Sequence, residues 1–201
     1  MDYIIVSYYT KGTGYEYEAQ NLVASLEEFG INYCVEGRQS FGSWCVNAQH
    51  KAVFLQEMLQ RFNEKSVVWI DADAVVMQYP EEFDSVDADI GVCYRDYSLF
   101  PCRSRSNGKE LLSGTIYFSN NGRTEKLIDD WVRINSQSPA LWDQRSLESA
   151  ININRGLRIK ELPPQYCQIY DWMKKAGTPV IEQRQRSRRY KRQIDREIRY
   201  A

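Results

Sequence analysis

An α/β fold with a mostly parallel central sheet flanked by helices is what this sequence predicts, and three observations predict it. Over roughly the first third of the chain, strand-like and helix-like segments alternate as β-α-β-α-β, the pattern of a doubly wound sheet. The run Val67-Val68-Trp69-Ile70 has no polar interruption, as expected of a parallel strand covered on both faces. Two acids, Asp71 and Asp73, follow it directly, at the carboxyl end of a strand where open α/β sheets bind ligands.

Residues 3–9 are rich in β-branched and aromatic side chains and end at Lys11-Gly12-Thr13-Gly14, which reads as a strand running into a loop. Ala19, Leu22, Val23, Leu26 and Phe29 then recur at helical spacing, with Gly30 where a C-terminal cap belongs. Residues 32–35 make a short second strand. A Gly/Ser loop over 37–43 leads to a second helix whose apolar face is Phe54, Leu55, Met58, Leu59 and Phe62. Beyond the acids, 90–94 and 115–118 read as strands, and 125–135 and 143–153 as helices. Residues 157–162 add a late strand stopped by Pro163-Pro164.

A chain of 201 residues fits one domain with a sizeable core, and 43% apolar with 26% charged residues is ordinary globular composition. No run approaches the roughly 18 uncharged apolar residues of a membrane span. The N-terminus lacks a basic segment followed by an apolar stretch, so a cytoplasmic address is expected. Five scattered cysteines (Cys34, Cys45, Cys93, Cys102, Cys167) lack the close pairs of a zinc site or redox dithiol and read as reduced and structural. Charge is unevenly spread. Residues 184–201 carry eight Lys/Arg against two acids, leaving 18 against 25 elsewhere. The division expected is a domain over 1–183 and a basic helix or tail over 184–201, where Tyr190, Ile194 and Ile198 make an apolar stripe.

The acidic pair carries the chemistry. Hard divalent cations take oxygen ligands, and Mg²⁺ or Mn²⁺ is held by one or two carboxylates plus substrate phosphates, so Asp71 and Asp73 are candidate metal ligands. Lys51, at the start of the second helix, and Arg95, after the strand over 90–94, are candidate partners for a phosphate or a sugar carboxylate. Asp89 is a candidate for a sugar hydroxyl. His50 reads as a satisfied or partly exposed histidine rather than a ligand.

With its Asp-x-Asp at the end of an apolar strand, the sequence resembles the GT-A nucleotide-diphospho-sugar transferases, and family-eight-like members in particular. Leu112-Ser113-Gly114-Thr115-Ile116-Tyr117-Phe118 is similar to their segment of a small residue and glycine beside the donor sugar. Trp142-Asp143-Gln144-Arg145-Ser146-Leu147 is similar to their Asp-Gln-x-x-Leu motif. The resemblance implies a Rossmann-like GT-A fold and a glycosyltransferase acting on a nucleotide-sugar, UDP-linked by preference, with Mn²⁺ or Mg²⁺ on Asp71 and Asp73. It implies that residues 7–10 face the base and ribose, with Tyr8 or Tyr9 available for stacking, and that Ser113 and Gly114 lie beside the donor sugar, so the candidate donor-binding residues are Tyr8, Thr10, Lys51, Asp71, Arg95, Ser113 and Gly114. It places Asp143 and Gln144 at the transferred sugar. Gln144 cannot act as a base, which favours retention, whereas inversion needs a carboxylate, with Asp143 the first candidate. Family-eight enzymes commonly complete the metal site with a C-terminal His. This chain has Gln183 there, followed by Arg188 and Arg189 as candidate phosphate binders.

Two other classes stay open at this point. A haloacid-dehalogenase-like phosphatase also places Asp-x-Asp after an apolar strand, but normally near the first strand and with different residues after the second acid. A non-catalytic nucleotide-sugar or nucleic-acid binder would use the basic tail, which has no recognisable nucleic-acid motif. The tail helix is alternatively an oligomer contact. The acceptor, whether glycan, protein or other, is not named by any motif.

Overall fold

The computed structural model describes residues 2–95, 109–174 and 177–199, with side chains to residue 196. Its elements are β1 (Tyr3–Thr10), α1 (Tyr15–Glu28), β2 (Tyr33–Arg38), α2 (Trp44–Gln49), α3 (Lys51–Arg61), β3 (Ser66–Ile70), β4 (Ala74–Val76), β5 (Ile90–Arg95), β6 (Glu110–Phe118), α4 (Gly122–Gln137), α5 (Asp143–Ile153), β7 (Ile159–Glu161), β8 (Gln168–Ile169), β9 (Ile181–Gln183) and α6 (Ser187–Arg199). The central sheet has the order β2-β1-β3-β6-β5-β7. β1 is parallel to β2 and β3, and β5 to β7, while β6 runs antiparallel to both its neighbours. The mixed α/β architecture with a mostly parallel sheet is therefore as the sequence predicts.

Alternation along the strands builds two cores. Tyr3 and Ile5 of β1 and Val68 and Ile70 of β3 pack on one face with Leu22 and Leu26 of α1. Ile4, Val6, Val67 and Trp69 point to the other, against Phe54 and Leu55 of α3, Leu127 and Trp131 of α4 and Leu147 of α5. The four apolar residues of β3 are at most 3% exposed, which is why residues 67–70 have no polar interruption. Gly30 has φ +63° just after α1, the left-handed stop that its position suggests. Asn121 caps α4 by accepting from the N–H groups of Arg123 and Thr124 at 3.0 and 3.1 Å.

The antiparallel entry of β6 positions the site. Ile70 pairs with Thr115, so Ser113 and Gly114 lie just beyond the end of β3, and the Asp71 N–H donates to the Gly114 carbonyl at 2.9 Å. The second helix is two pieces, α2 and α3, meeting at His50. A small sheet, β4-β9-β8, was not expected. It pairs the stretch after the acids with residues near the C-terminus (Ala74 with Gln183), and its strands are too short to leave a periodic signal.

The basic segment forms α6, seated on the body through buried Tyr190 and Ile194, whereas Ile198 lies outside the described side chains. The Tyr190 ring meets Tyr15 at 4.9 Å and leaves no room at Gly14, where an added Cβ would come within 2.4 Å of it. Cys34, Cys45, Cys93 and Cys167 are free thiols, and Cys102 lies outside the described residues. Among the described residues no helix is long and apolar enough to cross a membrane.

Asp89 corrects one expectation. Instead of facing a sugar it is 0% exposed, before β5 and away from the carboxyl ends of the strands. It accepts from the Arg158 N–H at 2.8 Å and the Asn121 amide at 3.1 Å, and pairs with the Arg123 guanidinium at 3.1 Å, tying α4 to β7 and β5. Burial raises its pKa, but those hydrogen bonds and guanidinium charges outweigh burial and hold it below the usual carboxylate value. A depressed folded pKa gives stability that is present above the unfolded value near about 4 and is lost as pH falls through the folded value. Asp89→Asn should therefore cost about 2–3 kcal/mol in urea unfolding at pH 7. The gap to wild type should close as pH falls below about 4, and a pH-independent gap would contradict this linkage.

Candidate functional site

A cleft opens at the carboxyl ends of β1 and β3, walled by the starts of α1, α2, α3 and α5 and covered in part by the segment leading into α6. This is where a doubly wound sheet leaves room for a ligand. Thr10, Lys51, Asp71, Asp73, Ser113, Asp143 and Gln144 all line it.

At its floor lies one buried cation. Lys51 Nζ is 3.0 Å from Asp71 Oδ1, 2.8 Å from Asp143 Oδ2 and 3.1 Å from the Ser113 carbonyl, and it sits 4.9 Å over the Trp69 ring. Burial works against the charge, but Asp143 and Asp71 outweigh it and hold the ammonium above the usual lysine range. Trp69 Nε1 donates to the same Asp71 oxygen at 2.8 Å, and the Ser113 hydroxyl to Asp143 at 3.2 Å. One ammonium thus joins the two acidic motifs and strand β6 at Ser113. Lys51 reaches the cleft as expected, but its donors are directed to groups of the protein.

Asp73 departs from an exposed strand-end acid: it is only 7% exposed. Its Oδ2 accepts the Arg186 backbone N–H at 2.6 Å, and its carbonyl accepts the Arg184 N–H at 3.1 Å. Gln185, between them, has φ +53°, a left-handed turn that swings the Arg186 N–H onto the carboxylate. Burial first, and then the Asp71 charge, push the Asp73 pKa up to about 7. Glu18 of α1, also buried, adds negative charge nearby and holds the Arg186 guanidinium at 2.9 Å.

These residues fit a hard cation. Two carboxylates share the site, and the Lys51 ammonium serves only the Asp71 side. Among the described residues no group of three or more His, Cys, Asp and Glu side chains could hold a metal alone, so a cation here would draw its remaining ligands from a bound diphosphate. Gln183, expected where a His stands in similar enzymes, is 1% exposed and donates to the Gly114 carbonyl and Thr115 hydroxyl at 3.0 Å each, outside the cleft lining. Gly114 is what admits it, since a Cβ there would lie 2.9 Å from the Gln183 amide carbon.

The other expected residues divide. Tyr8 borders the cleft but is 8% exposed, packed among Phe54, Trp69 and His50 with its hydroxyl donating to the Asn47 carbonyl, so it is core rather than a stacking surface. Ser7 is fully buried, whereas Tyr9 and Thr10 reach the cleft. His50 stacks under Phe41 at 3.8 Å, and burial lowers its pKa. Arg95 lies outside the lining, paired with Glu110 at 2.8 Å and over Trp172 at 4.9 Å. Glu110 also accepts from Gln144 at 3.1 Å. Arg188 turns away to Asp171 at 2.7 Å, and Arg189 lies over Tyr190 at 5.7 Å. From that segment Gln185, Ser187 and Ile194 enter the lining instead. Tyr15, Trp44, Asn47 and Trp142 line it without having been singled out. Only Trp142 had a signal, as the neighbour of Asp143.

Comparison with known proteins bears on the family and the fold. The model of the family described as nucleotide-diphospho-sugar transferase matches residues 46–187, from α2 to the start of α6. Among solved structures the chain is similar to a glycosyltransferase involved in the glycosylation of the major capsid of PBCV-1, with a TM-score of 0.65 and 11% identity over 100% of both chains, a likeness of fold. No curated protein matches.

Removing one partner from a buried charge cluster leaves the others uncompensated. Lys51→Met should lower unfolding free energy by about 3–4 kcal/mol at pH 7. Adding Asp143→Asn should restore part of that loss, and additive losses in urea titrations would show that the ammonium does not hold the two acids together.

Proposed function

The chain belongs to the nucleotide-diphospho-sugar transferase family, and from that premise we propose that this cleft transfers a sugar from a UDP-linked donor, with Mn²⁺ or Mg²⁺ bound and with retention. The observation that carries the reading is the Lys51 ammonium bridging Asp71 and Asp143, which brings the Asp-x-Asp and Asp-Gln motifs to one cleft. Membership in this family makes the chain a glycosyltransferase and displaces the phosphatase alternative.

Asp71 and Asp73 hold the cation, which supplies positive charge to the leaving diphosphate. Tyr9 and Thr10 face the nucleoside, and Ser113 borders the donor sugar, with Gly114 behind it making room for Gln183. Gln144 presents its amide to that sugar. Two features support retention. Gln144 cannot take a proton, and the Asp143 carboxylate is already paired with Lys51 and Ser113 and is only 9% exposed, a poor position for a general base. On this reading the bond from the anomeric carbon to the phosphate oxygen breaks with its electron pair on the phosphate. The acceptor oxygen bonds to the same face, and its proton passes to the departing phosphate oxygen.

A ligand that binds only the native state raises its stability, so a thermal-shift panel of UDP-, GDP- and CDP-sugars tests the donor. A Tm rise with UDP-sugars that requires Mn²⁺ is expected, and equal shifts without metal would contradict metal dependence. Asp73→Asn and Asp71→Asn should each abolish the Mn²⁺-dependent shift and donor turnover. The fold survives Asp73→Asn because asparagine keeps an oxygen for the Arg186 N–H. Wild-type metal-dependent hydrolysis in either variant would remove the acidic pair from the metal.

Gln144→Ala should lower turnover by more than about ten-fold with little change in nucleotide affinity, the signature of a contact made in the transition state. Equal loss of UDP affinity and turnover in steady-state kinetics would place Gln144 in the nucleotide pocket instead.

A further inference from the structure

The rim of the cleft carries two indoles that the donor chemistry does not use. Trp142 lines the cleft yet keeps 58% of its surface exposed. Its backbone is fixed from both sides: Gln49 Nε2 donates to the Leu141 carbonyl at 2.5 Å and the Ser138 carbonyl at 3.0 Å, and the next residue, Asp143, is clamped by Lys51 at 2.8 Å. Trp44 is held as firmly, its indole N–H donating to the Tyr15 hydroxyl at 3.2 Å and its backbone N–H to Asp195 at 2.8 Å. The Lys191 ammonium lies 5.0 Å from the Trp44 ring and 5.3 Å from the Trp142 ring. Two electron-rich faces therefore open on one chamber, shared by a cation.

A π face that attracts an ammonium also attracts the weakly positive C–H face of a pyranose, whose hydroxyls are left at the ring edge for polar partners. A partner that meets the Trp44 ring, held by its own hydrogen bond, and the Trp142 ring, carried on a fixed backbone, pays little ordering cost. Trp142 directly precedes Asp143-Gln144, so a ring stacked on it lies next to the residues assigned to the transferred sugar. We propose, resting on the transferase reading above, that Trp142 together with Trp44 forms the acceptor subsite and that the acceptor is a saccharide. Its ring stacks on Trp142, and Lys191 shifts from the indoles to the ring hydroxyls. The bland role for the same contacts is a latch that pins α6 to the rim through Lys191. A latch would disturb Gln185 and Ser187, and with them the donor, as much as any acceptor.

The test uses the full chain with Mn²⁺, UDP-glucose, UDP-galactose and UDP-N-acetylglucosamine as donors, and methyl glycosides, lactose, maltose and cellobiose as acceptors. Release of UDP and formation of glycosylated product are followed together. At least one saccharide should be glycosylated. Trp142→Ala should raise its KM about ten-fold, the loss of one good stacking contact, while the donor KM moves less than about two-fold. Trp142→Phe, which keeps an aromatic face, should restore most of the acceptor affinity. If the wild type splits none of these donors, the transferase reading fails first and this inference goes with it. If donor is split to free sugar but no saccharide is glycosylated, the inference alone is overturned. A Trp142→Ala variant whose donor and acceptor KM rise equally would likewise assign the indoles to the latch.

Discussion

A lysine side chain only 5% exposed must be surrounded by negative partners, because desolvation otherwise strips its charge, and Lys51 meets Asp71, Asp143 and the Ser113 carbonyl at once. The rest of the site depends on this contact. It holds the start of α5 to the end of β3, fixes one oxygen of Asp71, and sets Ser113 of β6 against both. Without it the Asp71 and Asp143 carboxylates would be left with no ammonium between them.

The second constraint runs in the opposite direction, from the C-terminus back to the acids. Asp73 is buried by the very segment that caps it, through the Arg186 N–H and the pairing of β9 with β4. A carboxylate so enclosed, beside Asp71 and near Glu18, resists ionisation. Additional positive charge brought to this point is therefore stabilising, whether it comes from a cation or from a backbone N–H. The α6 helix belongs to the cleft as much as to the surface: Ser187 and Ile194 line it, while Tyr190 locks against Tyr15 and Gly14.

The basic character of residues 184–201 is consequently a weaker guide to function than its position. Arg188 and Arg189 carry the charge that first draws attention, yet they lie on Asp171, Trp172 and Tyr190 outside the cleft. What reaches the cleft from that segment is the Arg186 N–H on Asp73, the lining residues Gln185, Ser187 and Ile194, and Lys191 at the rim. Asp89 shows the same logic in reverse, since an acid that looks available for a sugar is absorbed by the ends of three elements.

What the sequence by itself determined was whatever depends on local periodicity: the alternation of β1, α1, β2 and α3, the unbroken apolar β3, the helix over Asp143–Ile153, and the placement of two acids at a strand end. It also carried the two motifs on which the family resemblance rests. Only tertiary structure decided how those motifs meet. Lys51 and Asp143 are 92 positions apart and Asp73 and Arg186 are 113 apart, and no local spacing encodes pairs held together by long-range packing. The small β4-β9-β8 sheet was illegible for the same reason, because strands of two or three residues have no period to read. Burial sorted the candidates last: Asp89 and Tyr8 were chosen by residue type and neighbourhood, Gln183 by its place in the resemblance, and the close-packed interior claimed all three for the fold.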